Sequence, residues 1–194
     1  MDTIRRFSSN SEEELWRQLT LDIARDKNLT SYSAQLLLHD TEVFLDIDID
    51  LGGGFEGGSS STTFMAPVPT SVPLRFALHE QNWMSEIGKF FGMGDAQLNL
   101  PDLDDAFVIK ANDPQALAAL LSDAKVRETL LEHSNCELKL SVDHDEPDAT
   151  PFLTFSKDDA ILDMVKLQDV YRMVLTLVQK LSPPVTSTTG FDKL

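Results

Sequence analysis

Hydrophobic positions recur along this chain with two periods, and the switches between them mark the elements. Leu15, Trp16, Leu19 and Ile23 stand at helical spacing, and Ser11 with Glu14 has the spacing of a capping box. Glu12 and Glu13 would meet the positive end of the helix dipole, so a helix is expected from Ser11 until the pattern fades at residues 26–28. The period then becomes two. Residues 32–38 and 42–51 read as strands, and His39-Asp40-Thr41 between them suits an antiparallel hairpin. In the second run Val43, Leu45, Ile47, Ile49 and Leu51 share one face, while Phe44, Asp46, Asp48 and Asp50 share the other.

Residues 52–63, rich in Gly, Ser and Thr, read as a flexible low-complexity connection. A short run at 63–66 and a stretch marked by Pro67, Pro69 and Pro73 follow. Leu74, Phe76 and Leu78 alternate with Arg75, Ala77 and His79, which predicts a half-buried strand. Trp83, Ile87, Phe90 and Phe91 have the spacing of a short amphipathic helix, ended by Gly92 and Gly94. In the second half a strand is expected around Phe107, Val108 and Ile109. Asp113 and Pro114 then supply an N-cap and a first helical residue for a helix carrying Leu117, Leu120 and Leu121. Ser122-Asp123 restarts a second helix with Val126, Leu130 and Leu131. Residues 137–143 alternate with Leu138, Leu140 and Val142 inward, an acidic loop covers 144–150, and another strand follows at 152–155. A long helix is expected from about 160 to 181, ended by Pro183-Pro184, with a disordered tail over 183–194. Strands in hairpin-like runs rather than strict βαβ alternation predict the α+β class. The expectation is one domain over residues 1–182, a mostly antiparallel sheet packed against several helices.

Charge narrows the partners. The 194 residues carry a formal net charge of −16. Such a surface repels phosphate backbones and anionic lipid heads, which argues against nucleic acid and membrane and leaves a basic protein or a cation open. With 42% apolar residues the chain can build a core without staples. The single cysteine, Cys136, forms neither an internal disulfide nor a thiolate zinc cluster and reads as a small buried hydrophobe. Arg5 and Arg6 are followed by polar residues rather than an apolar leader segment, and no apolar run is long enough to span a bilayer. The cytoplasm is the expected compartment.

Candidate chemistry is sparse. Gly52, Gly54 and Gly57 match G-x-G-x-x-G, but a strand-like segment follows where a dinucleotide site needs a helix N-terminus, and no Gly-Lys-Ser/Thr is present. Asp46-x-Asp48-x-Asp50 has the opening of an EF-hand loop, yet Leu51 and Gly57 occupy the positions that require Gly and Glu. On a strand these carboxylates would repeat at about 7 Å, too far apart for one ion to touch all three. Asp143-His144-Asp145-Glu146 groups ligand-type residues in one loop, while His39, His79 and His133 are scattered singly. No serine sits in a G-x-S-x-G elbow. No catalytic residue, cofactor or metal is therefore expected. Asp46, Asp48, Asp50, Asp143, Asp145 and Glu146 form the candidate partner-binding acidic surface.

The segment Leu103-Asp104-Asp105-Ala106-Phe107-Val108-Ile109-Lys110-Ala111-Asn112-Asp113-Pro114 is followed by Leu120-Leu121 and Leu130-Leu131. It resembles the F-D-x-x-F-x-V-x-A-x-D-P…LL…LL pattern of an uncharacterised bacterial family whose members are often attached to membrane helices. The resemblance covers roughly residues 103–142. It implies a bacterial source and brings no activity or site residues. Two functions remain open: a soluble, non-catalytic protein acting through protein–protein contacts of its acidic surface, and a small enzyme or ligand-binding domain whose site is assembled from distant residues.

Overall fold

The computed structural model describes residues 4–26, 29–52, 58–80, 94–142 and 149–182. Eight strands form one sheet in the order β1-β2-β3-β4-β8-β7-β5-β6. They are β1 (Arg5–Ser9), β2 (Ser31–Leu38), β3 (Thr41–Asp50), β4 (Ser59–Pro67), β5 (Phe76–His79), β6 (Val108–Ala111), β7 (Cys136–Ser141) and β8 (Phe152–Lys157). The helices are α1 (Glu12–Ile23), α2 (Pro101–Ala106), α3 (Pro114–Leu120), α4 (Ala124–Glu132) and α5 (Met164–Leu181). The β1–β2 pair is parallel, as its α1 crossover requires, and the other strand pairs are antiparallel. This is an α+β architecture.

Alternation builds the core. One transverse row, Ala34, Leu45, Phe64, Phe155, Leu138, Leu78 and Ile109, runs across seven strands with every side chain at most 2% exposed. Helices α1 and α5 cover this face, Trp16 meeting Tyr171 edge-on at 5.4 Å between ring centroids. Helices α3 and α4 pack against α5. Side-chain caps start the helices where the sequence places them: Ser11, Asp113 and Asp123 accept from Glu14, Ala116 and Lys125 amides respectively.

The structure corrects four expectations. Residues 59–63 are not part of a loop but the first half of β4, paired to β3 from Asp50–Ser59 onward and to β8 from Thr62. Ser and Thr lack the apolar signal of a strand, yet pairing on both sides supplies it. Gly58, just before, is required by close approach, since a Cβ there would stand 2.6 Å from the Asp50 carbonyl oxygen. Strand β5 is buried on both faces rather than one, all four of its residues being buried. The last helix begins at Met164, later than its apolar spacing implies. Asp163 caps it by accepting from the amides of Val165 and Lys166. The preceding segment is tied to β4 instead: Thr62 Oγ1 donates to the Asp159 carbonyl and accepts from the Ile161 amide. Finally, residues 101–106 form a short helix, with Asp104 accepting from the Leu98 and Leu100 amides. The helix expected around Trp83–Phe91 and the tail 183–194 lie outside the described residues.

Candidate functional site

The second face of the sheet carries the candidate site. On β3, Val43, Leu45 and Ile47 are buried toward the helices, whereas Asp46, Asp48 and Asp50 are exposed on the opposite side. Register fixes their neighbours: Asp46 lies between Ser33 and Thr63, Asp48 between Ser31 and Ser61, and Asp50 beside Ser59. Ser33 Oγ donates to Asp46 Oδ1 at 2.5 Å, and the Gly52 amide donates to Asp50 Oδ1 at 2.9 Å. Among the described residues none of these three carboxylates takes part in an ion pair. Strands β2, β3 and β4 contain no Lys or Arg. The three carboxylates therefore form a strip of negative charge set among hydroxyls, with exposed Arg6 of β1 one row away on the same face.

The partner surface named from sequence is assembled in part. Asp46, Asp48 and Asp50 stand together at strand spacing, as their alternation requires. Asp143, Asp145 and Glu146 lie outside the described residues, as do Gly54 and Gly57 of the glycine-rich motif and His144. Ser141 and Phe152, which bracket the 143–148 segment, pair with each other, and Phe152 pairs with Pro67, at one end of the sheet. Asp48 and Asp50 stand at the other end, opposite Ser61 and Ser59.

Farther along the same face the polar groups pass from half-buried to buried, Glu137 and His79 being the buried ones. Row by row, Asp46 and Thr63 are followed by Ser156, Glu137 and His79. His79 is 5% exposed; its Nδ1 contacts the Glu80 carbonyl at 3.0 Å and its Nε2 has no partner. Glu137 pairs with Lys139 at 2.7 Å. Sequence spacing could not find this His79–Glu137–Ser156 line, because its members come from three strands distant in the chain. A cavity of about 760 Å³ lies elsewhere, lined by Val72, Leu74, Ala116, Leu120, Lys180 and Leu181 among others, and none of the histidines borders it.

Nothing matches this chain in comparisons with protein-family models, curated proteins and solved structures. The functional reading rests on the molecule's own chemistry.

That chemistry sets two further groups aside as structural. Burial pushes the Cys136 thiol up to about 12, so it carries no thiolate at neutral pH. His133, at the C-cap of α4, is 4% exposed, edge-on to Phe155 at 6.2 Å, with Nε2 unpartnered. Desolvation first, and then the ammonium of Lys157, hold its proton affinity below the ordinary value; Lys166 adds a smaller effect in the same direction, and Glu132 and Asp169 oppose it. The unfolded chain thus takes up this proton at a higher pH than the folded one. Stability should be full above the ordinary imidazole value of about 6.5 and should fall as the pH drops below it. Denaturation midpoints of wild type and His133→Gln across pH 5 to 8 check this. The wild-type curve is expected to decline more steeply on the acid side than the variant's, and parallel curves would contradict the assignment.

No described helix is long and apolar enough to cross a membrane. No group of three or more His, Cys, Asp and Glu among the described residues is arranged to hold a metal ion.

Proposed function

We propose that this protein works by binding a basic protein partner through the open face of β2, β3 and β4, without catalysis. The observation that carries the reading is the row Asp46, Asp48 and Asp50: exposed, in no ion pair among the described residues, on strands with no basic side chain. An unneutralised row of this kind has a physical consequence. It raises the encounter rate with a cationic surface and disfavours anionic competitors. The net charge of −16 extends the same field over the molecule. Solubility alone asks for scattered charge, whereas here three carboxylates stand in one row on a single strand.

The alternative, a small enzyme or ligand-binding domain, draws its support from buried His79 beside Glu137. It is the weaker reading, since the described cavity approaches neither residue.

The test uses the protein as bait in extract from its source cells. Proteins retained by wild type but lost by the Asp46→Asn, Asp48→Asn, Asp50→Asn variant should be basic and should elute with moderate salt. Equal retention by both baits would remove the face from the account. The variant is expected to fold normally, because all three side chains are exposed.

A further inference from the structure

The open face is divided rather than uniformly acidic. At the end of the sheet nearer the β2–β3 turn its side chains are mixed: five apolar ones stand in two rows together with Gln35 and Glu42, and exposed Arg6 lies beside Gln35 on β1. Leu37 pairs with Glu42, Pro67 with Phe152, and Phe44 with Met65, Gln35 flanking Phe44 on the other side. Met65 is 37% exposed, and Leu37, Phe44, Pro67 and Phe152 are half-buried. One strand repeat farther, about 7 Å along β3, the carboxylate row begins at Asp46. Phe44 to Asp50 is three such repeats, so apolar and anionic surface together span about 20 Å.

From this division we propose that the occupant of the face is a cationic segment with an apolar anchor at one end. Its anchor sits on Met65 and Phe44, and its Lys or Arg side chains lie over Asp46, Asp48 and Asp50. The proposal rests on the basic-partner reading above and adds the partner's chemistry. Neither half of the face suits a simpler occupant. A purely polybasic tail would leave the apolar end in water. A purely apolar surface would strip water from three carboxylates and supply no counter-charge. A second copy of the chain would bring another −16 to the contact and meet self-repulsion. An anchored cationic segment satisfies both ends, with apolar contact as the central contribution and ion pairs at the rim. The hydroxyl donated by Ser33 to Asp46 fixes that carboxylate before the partner arrives.

The experiment measures the affinity of the full chain for two synthetic peptides. The first has Trp and Leu residues at one end and a run of Lys at the other; in the second, Ser replaces the apolar residues. The first is expected to bind about tenfold or more tightly than the second, the gain from burying one or two apolar side chains. Met65→Thr, chosen because a β-branched residue suits the strand, should weaken the first peptide and leave the second unchanged. The triple Asp→Asn variant should weaken both. Equal affinity for the two peptides, or indifference to Met65→Thr, would overturn the anchor while leaving a charge-only partner. Absence of binding by either peptide, or binding indifferent to the triple variant, would overturn the anchor and the basic-partner reading together. Thermal midpoints of both variants near wild type confirm that the losses are not failures to fold.

Discussion

Phe155→Ala is expected to destabilise the protein by about 3–5 kcal/mol, the usual cost of emptying a buried aromatic site. Phe155 is 0% exposed at the centre of the sheet, between Phe64 of β4 and Leu138 of β7 in register. His133 closes on it from the helix layer. Its strand is paired on both sides, so the backbone cannot collapse into the vacated space. Against a total stability of about 5–15 kcal/mol for a typical domain, the loss is large. Urea titration should show a much lower midpoint with an unchanged slope. Phe44→Ala is the contrast, because Phe44 is half-buried on the open face and has less to lose. Its cost should be about 1 kcal/mol. Equal costs for the two substitutions would mean that the helix-covered face is not the core.

Most elements were legible because alternation and caps are local signals. The β2–β3 hairpin follows from strict period two, and its register puts Asp46, Asp48 and Asp50 on one face with no further information. Helices α3 and α4 follow from Asp113-Pro114 and Asp123, whose side chains cap as their positions require. What was not legible depends on partners far away in the chain. Strand β1 is a five-residue edge strand, Arg-Arg-Phe-Ser-Ser, without apolar alternation. It exists through parallel pairing with β2, and Arg5 is held between Asp22 at 3.0 Å and the Tyr32 ring at 4.5 Å. Ser59–Thr63 read as linker because hydroxyl side chains resemble turn composition, yet β3 pairs with the whole run and β8 with Thr62 and Thr63. Lys157 and Glu137 would be placed on a surface by residue type and are buried, Lys157 donating to Asn135 and Glu137 paired with Lys139.

The candidate site divides the same way. Its acidic row could be read from one strand. Its apolar end could not, since Leu37, Met65 and Phe152 come from three different strands and gather only when the sheet forms. Alternation placed Phe44 on the acidic side, but what flanks it depends on strand order.

The most direct measurement of the central claim is the rate at which the full chain associates with its native partner, across a series of salt concentrations. Wild type and the Asp46→Asn, Asp48→Asn, Asp50→Asn variant are compared at each. Screening shortens the reach of the acidic face to about 8 Å at physiological ionic strength, so steering should be strong below it and fade above. The wild-type rate is expected to fall steeply as salt rises. At low salt the variant should associate about tenfold or more slowly, with dissociation less affected. Rates indifferent to both salt and substitution would contradict the account and leave these carboxylates with solubility as their sole role.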